Sequence, residues 1–175
     1  MKVREIMSSD PVTCTPDDTL NRASELMWNR DIGCLPVVDG ERRVVGMVTD
    51  RDVCMSGYTQ NRPQSELNVR LAMSGQASTC SPDDSVEAAE RTMLEHQVRR
   101  LPVVDQDQHV LGVLSLNDLA RACCAGLRRG KVGPRPDDLV RTLGAVCEPR
   151  SGAVATAEPT TERPAARELT ISAHG

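Results

Sequence analysis

The chain contains two copies of one segment, and this repeat limits its possible folds more than any other feature. Residues 3–53 align with residues 69–119 without a gap when the sequence is shifted by 66 positions, and 19 of the 51 aligned positions are identical. Chance does not produce such agreement over an ungapped stretch. Two copies predict a paired unit related by a pseudo-twofold axis and not an extended solenoid.

Each copy predicts the same order of elements, β-α-β-β-α. In the first copy, a short β-prone run at residues 12–14 leads into Thr15–Asp18. A hydroxyl residue, a proline and two acids in that order are typical of a helix start, so we expect the N-cap at Thr15. The next residues place Leu20, Ala23 and Met27 on one helix face.

Two short apolar strands follow the first helix in each copy. The first of them carries Leu-Pro-Val-Val, and the second covers residues 44–48 or 110–114. Because the second strands are apolar throughout, we expect both of their faces to be buried. The turn between the strands contains Asp39-Gly40 in the first copy, which favours a hairpin, and the second copy lacks that pair.

These elements predict an α+β fold with a defined division of the chain. A short helix at Asp137–Cys147 would follow the second copy and place five apolar residues on one side, namely Leu139, Val140, Leu143, Val146 and Cys147. The remaining sequence has little to bury and is expected to be disordered. The predicted units are repeat one at 3–58, a linker at 59–68, repeat two at 69–127, a linker and short helix at 128–147, and a tail at 148–175.

Composition and charge argue against several classes of protein. The only aromatic residues are Trp28 and Tyr58, so the chain has no row of rings on which bases could stack, and its net charge is −4. No apolar run approaches the roughly 20 residues that a spanning helix needs. Seven cysteines without C-x-x-C spacing, and no apolar stretch at the start, lead us to expect a cytoplasmic protein that binds neither nucleic acid nor membrane.

The residues with the clearest chemistry lie where the last strand of each copy meets its helix. Thr49 and Asp52 in the first copy correspond to Ser115 and Asp118 in the second. A hydroxyl residue followed three positions later by an acid resembles a capping box. The same helix N-terminus can bind phosphate, with the carboxylate accepting hydrogen bonds from ribose hydroxyls. The two interpretations are compatible, and both remain open at this point.

Leu-Pro-Val-Val-Asp followed by Gly-x-apolar-[Thr/Ser]-x-x-Asp, present twice, resembles a tandem pair of cystathionine-β-synthase (CBS) domains, the Bateman module. The resemblance covers residues 3–127. Three segments look like the small stand-alone bacterial members, which include hypoxic response proteins: Asp31–Gly33, Thr49–Asp52 and His96–Arg100. The resemblance implies a non-enzymatic regulatory module in which ligand binding favours one arrangement of the repeats.

Family members commonly bind adenosyl compounds such as AMP, ADP or ATP between the repeats, as regulatory ligands and not as obligatory cofactors. By position, the resemblance implies phosphate contacts from Thr49, Ser115, Arg99 and Arg100, ribose contacts from Asp52 and Asp118, and adenine contacts from Thr13, Cys14, Ile32, Thr79, Cys80 and Val98. The two arginines make the second copy the better equipped for a phosphorylated ligand. The family also implies a homodimer and a separate effector protein.

A second hypothesis keeps the same scaffold but uses thiols. Cys14 and Cys80 occupy equivalent positions, and a redox- or metal-responsive stress protein could use them with Cys34 or His96. Closely spaced zinc ligands are absent from the sequence, so we predict no metal site. No nucleophile, base and orienting group can be assembled from the sequence, and we expect no catalysis.

Overall fold

The computed structural model describes residues 1–129 and 133–149, so the predicted disordered tail lies outside the described residues from residue 150 onward. The helices are α1 Leu20–Arg30, α2 Asp50–Gln60, α3 Val86–His96, α4 Leu116–Arg129 and α5 Pro136–Cys147. The strands are β1 Ser8–Ser9, β2 Cys34–Val38, β3 Val44–Thr49, β4 Arg100–Val104 and β5 Val110–Ser115. Single 3-10 turns cover Val3–Glu5, Gln64–Glu66 and Val69–Leu71.

The two repeats fold alike and confirm the predicted α+β architecture. In each repeat an antiparallel hairpin, β2–β3 or β4–β5, lies beside two helices. The predicted first strand of the first repeat is reduced to one parallel bridge between Cys14 and Val37. The hairpins meet at their turns, where Arg43 bridges His109 and the Val44 amide donates to the Gln108 carbonyl at 3.0 Å.

The hairpin turns depend on aspartate and not on glycine. Asp39 Oδ1 accepts hydrogen bonds from the amides of Glu41 and Arg43, both at 2.9 Å. Asp105 closes the second turn in the same way. A Cβ on Gly40 would meet open space. Both copies therefore form the expected turn between their strands, and the Asp that the two copies share, not the Asp-Gly pair of the first copy, holds it.

The predicted helix start at Thr15 is also wrong. The amide of Thr15 donates to Asp18 Oδ2 at 2.7 Å, which closes residues 15–18 into a separate turn. The helix begins one turn later at Leu20, and Thr19 is its N-cap, with its hydroxyl accepting from the Arg22 amide. The second repeat has the same arrangement, with Ser85 as the N-cap of α3.

The second strands are not buried on both faces. In β5, Val110 and Leu114 are buried, whereas Leu111 is 39% exposed. Strand β3 shows the same alternation around buried Val48. These are antiparallel hairpins, which commonly bury one face only, and a continuous apolar run does not by itself imply two covered faces.

The predicted C-terminal helix exists, but its buried face differs from the predicted one. Thr142 and Val146 are buried, whereas Val140 is 68% and Leu143 48% exposed. Helix α5 packs mainly on α3 and also touches α4. The face of α5 that contacts α3 is therefore rotated from the row of five apolar residues predicted to be buried.

The first residues of each repeat pack on the other repeat. Val3 donates its amide to the Asp84 carbonyl at 3.0 Å, and β1 pairs with β5. In the equivalent exchange, Val69 donates to Asp18 at 2.8 Å. Val3 is fully buried in the core of the second repeat and Val69 in the core of the first. Each core is therefore completed by a residue from the start of the other repeat.

Two glycines allow this exchange. A Cβ on Gly46 would lie 2.3 Å from the Ser74 carbonyl oxygen, and one on Gly112 would lie 2.7 Å from that of Ser8. Both distances are shorter than any van der Waals contact, and the atom in the way is backbone. Glycine is thus required at each position for close approach of the exchanged segment.

We predict that Gly46→Ala and Gly112→Ala each lower the free energy of unfolding by about 1–3 kcal/mol, because the exchanged backbone must move away. Urea denaturation followed by circular dichroism measures the change. Gly40→Ala is the matched control, since its Cβ meets nothing within 4 Å. Equal stabilities for all three variants would show that the exchanged segments do not pack as described.

Candidate functional site

The hydroxyl and carboxyl residues at the start of α2 form a reciprocal capping box. Thr49 is the N-cap, and its hydroxyl accepts from the Asp52 amide at 3.2 Å. Asp52 Oδ2 accepts from the Thr49 amide at 2.9 Å and from the Thr49 hydroxyl at 2.7 Å. The capping interpretation is therefore correct for this repeat, and it fixes the carboxyl group at the end of β3.

The second repeat repeats this geometry with one addition. Asp118 Oδ2 accepts from the amide of Ser115 at 2.8 Å and from its hydroxyl at 2.5 Å. Asp118 Oδ1 accepts from the guanidinium of Arg121, and the residue is only 4% exposed. Both oxygens of this carboxylate are therefore occupied.

The residue one turn further along makes the two boxes different. Met55 occupies in α2 the position that Arg121 occupies in α4, and a thioether cannot neutralise a carboxylate. Within residues 1–129 and 133–149, only Oδ2 of Asp52 is hydrogen bonded. Asp52 is also less buried than Asp118. The carboxylate of the first repeat is the more accessible of the two.

The two arginines before β4 are placed apart. Arg99 is exposed, and its carbonyl accepts from the Leu116 amide at 3.1 Å. Arg100 reaches towards the first repeat and lies close to Gly33. A Cβ added to Gly33 would lie 3.3 Å from Arg100 Nη2 and 3.1 Å from Asp50 Oδ2. The arginine that sequence reasoning assigned to the second site therefore lies beside residues of the first.

Arg100 is one of the residues that line an open cleft between α1 and α2, with a volume of about 660 Å³. Ile32, at 37% exposure, lies in its lining, whereas its counterpart Val98 packs against the core of the second repeat. Both aromatic residues of the chain also line the cleft, and Trp28 is 87% and Tyr58 81% exposed. Sequence reasoning missed this grouping, because residues 28 and 58 lie on separate helices.

The predicted adenine-contacting strands present mainly backbone. The Cys14 and Cys80 side chains belong to the two hydrophobic cores, and Thr13 and Thr79 beside them are half-buried. Cys14 is bonded through its backbone, donating to Pro36 at 3.2 Å. A ligand at these strands would therefore meet the threonines and the main chain, and not the thiols.

Burial raises the pKa of Cys14 and of Cys80 to about 12, and in each case a nearby aspartate adds to the effect. Thiols with such a pKa are almost entirely protonated at neutral pH and react poorly. The two thiols also lie in separate cores. These features weigh against the thiol-based hypothesis.

The potential metal-ligating residues that meet in the described chain differ from those predicted. Asp105, Asp107 and His109 bring one ligand atom each within 4.8 Å of one another. In the β4–β5 turn, Asp105 Oδ1 already accepts from the amides of Asp107 and His109, and His109 Nδ1 lies 3.1 Å from Asp105 Oδ2. Arg43 takes the place of His109 in the first repeat and pairs with Asp39. The arrangement is therefore explained as a hydrogen-bonded turn.

The fold and the paired boxes define the class of protein. The CBS domain family model matches residues 3–56 and 68–124, and the chain belongs to this family as a CBS domain pair. The resemblance predicted from the sequence is thereby confirmed. Among the described residues, no helix is both long enough and apolar enough to cross a membrane.

Three known proteins illustrate the relationship. The CBS domain-containing protein YhcV of Bacillus subtilis is 36% identical over 118 residues, which are 67% of this chain and 82% of YhcV. Hypoxic response protein I, solved with two coordinated zinc ions, is 30% identical with a TM-score of 0.62 and covers 69% of this chain and 98% of its own. CBSX2, solved in complex with AMP, is 26% identical with a TM-score of 0.63, covering 73% and 98%.

We predict that a thiol reagent at pH 8 modifies Cys54, Cys124 and Cys147 quickly, because these three are exposed. Cys14 and Cys80 should react at least about 100-fold more slowly until the protein unfolds, since both are buried and protonated. Peptide mapping by mass spectrometry after timed labelling measures each rate. Fast labelling of Cys14 or Cys80 in folded protein would revive the thiol hypothesis.

Proposed function

We propose that this protein is a cytoplasmic, non-enzymatic regulatory module that binds an adenosyl ligand such as AMP and passes its occupancy to a separate effector protein. One observation carries the proposal: at equivalent points of both repeats, a strand runs into a helix N-terminus that bears a hydroxyl and a carboxyl side chain. CBSX2, of the same fold, is solved with AMP, which supports the ligand class.

The chemistry of the box matches such a ligand. Free amides and the positive end of the helix dipole favour a phosphate group. The carboxylate can accept hydrogen bonds from vicinal ribose hydroxyls, and each charge-assisted bond contributes about 1.5–3 kcal/mol. With no aromatic side chain at the box, adenine would rest on aliphatic residues and backbone, so we expect a dissociation constant in the micromolar to millimolar range.

We propose that the first repeat binds the ligand more readily. Asp52 has an unoccupied oxygen within the described chain, and Arg100 brings a positive charge to the neighbouring cleft. At the second site, Arg121 must first release Asp118. Arg121 is 74% exposed, so its release into water costs little, and the second site is weaker but not abolished.

We predict that AMP at about 100 times its dissociation constant stabilises the protein by roughly 2.7 kcal/mol in a thermal unfolding series. Asp52→Asn should remove most of this shift and Asp118→Asn a smaller part, because Asn still accepts the capping hydrogen bonds but presents an amide N–H₂ to the ribose. Arg121→Met should increase the shift, since it frees Asp118.

Asp18→Asn is the matched control for these variants. Asp18 accepts from the Thr15 amide and hydroxyl just as Asp52 accepts from Thr49, but it closes a turn that no ligand is proposed to contact. Its variant should keep the full AMP shift. If no adenosyl compound at millimolar concentration moves the unfolding curve while zinc or an oxidant does, the thiol- or metal-responsive alternative gains.

We further propose that the module is a homodimer, with the α1–α2 face of the first repeat packed on its copy. This face exposes Trp28, Tyr58 and Met55, whereas α5 covers the corresponding side of α3 in the second repeat.

Trp28→Glu should convert the dimer to a monomer in sedimentation equilibrium at micromolar concentration, because it places a charge at the centre of an apolar contact. Val140→Glu is the matched control. Val140 is also an exposed apolar residue, at 68% exposure, but it lies on the outer side of α5. A monomeric parent protein, or a dimer insensitive to Trp28→Glu, would overturn this assignment of the interface.

A further inference from the structure

A buried carboxyl group lies beneath the C-terminal helix. Between α3 and α5 is a cavity of about 170 Å³, lined by Glu90 and by charged residues from both helices. The Glu90 residue is 3% exposed, and within the described chain its Oε1 has no hydrogen-bond partner. Burying such an atom without a partner is costly, and far more so when the group is ionised.

The charges around Glu90 do not compensate for its burial. The pKa of Glu90 is raised from an ordinary value of 4.5 to about 7, chiefly by loss of hydration and also by the negative charges of Asp138 of α5 and Glu87 of α3. Arg141 of α5 opposes the shift, but its guanidinium is bonded to Asp138. The remaining titratable groups that face the site are Arg91 of α3, which lines the cavity, and Cys123 of α4, whose own pKa is raised in part by Glu90.

At the position equivalent to Glu90, the first repeat has a side chain with hydrogen-bond partners. Ser24 is the counterpart of Glu90, and its hydroxyl donates to the Leu20 carbonyl at 2.9 Å and lies 2.9 Å from Gln64 Oε1. Gln64 belongs to the 3-10 turn that packs on α1. In the second repeat α5 takes that place, and an unsatisfied acid replaces the hydroxyl.

We propose that α5 is a pH-dependent cover on the α3–α4 face of the second repeat, held tightly when Glu90 is protonated and loosened when Glu90 is ionised. The proposal is independent of the adenosyl ligand. It rests on the burial of Glu90, on its unpartnered oxygen and on the charges that α5 brings to it.

The direction of the pH effect follows from proton linkage. With α5 docked, Glu90 holds its proton up to about pH 7, whereas in the undocked state it loses the proton near its ordinary value. Docking is therefore strongest below pH 4.5, weakens as the pH rises towards 7, and changes little above 7. Undocking would remove Leu139 of α5 from the apolar core of the second repeat against which it packs, and an exposed apolar face is typical of a binding surface.

Hydrogen exchange of the full chain tests the proposal. The α5 amides, corrected for intrinsic exchange rates, should lose protection by on the order of 100-fold between about pH 5 and about pH 8. The α1 amides serve as an internal reference for the rest of the fold. Glu90→Gln, which has nearly the same shape but no charge, should make α5 protection independent of pH.

Glu87→Gln is the matched control, because Glu87 lines the same cavity but is exposed. Its variant should keep a clear pH dependence, with a midpoint at somewhat lower pH because one charge that repels Glu90 is gone. Asp138→Asn provides a second variant that leaves Glu90 in place, and it should move the midpoint to lower pH by removing a repelling charge. Equal pH dependence of α5 protection in the parent protein and Glu90→Gln, or protection that does not fall between pH 5 and 8, would overturn the proposal.

Discussion

The structure depends on the reciprocal exchange of two short segments between its repeats. Each segment supplies a buried valine to the other repeat, and each crosses a strand at a glycine that leaves no room for a side chain. Since neither core can close alone, the repeats are expected to fold and respond together. The strands that carry these glycines, β3 and β5, end at Thr49 and Ser115. The candidate sites therefore lie at the ends of strands against which the exchanged segments pack.

The pseudo-symmetry is broken at a few positions, and these decide the chemistry. Met55 and Arg121 distinguish two otherwise equal capping boxes, because only the arginine occupies the carboxylate beside it. Ser24 and Glu90 occupy equivalent positions on α1 and α3 but differ in hydrogen bonding. The Ser24 hydroxyl bonds to Gln64, whereas Oε1 of Glu90 has no hydrogen-bond partner within the described chain. Each substitution is small, yet each changes the charge of a partly or fully buried site.

Much of the fold could be predicted from the sequence, since the repeat, the apolar strands and the helix face at Leu20 each leave a local pattern. The helix starts were misplaced because Thr15 and Thr19 carry equally good capping groups, and only the Asp18 carboxyl decides between them. The boxes at Thr49 and Ser115 were also predictable, being local. The position of Arg100 beside Gly33 was not, because it depends on how one repeat lies against the other.

Amide chemical-shift mapping during an AMP titration is the most direct test of whether the two strand–helix junctions form the proposed adenosyl-binding unit. We expect saturable shifts at Thr49–Asp52 and at the residues around Thr13, with weaker shifts at Ser115–Asp118. Shifts confined to other surfaces, or none at millimolar AMP, would contradict the proposal.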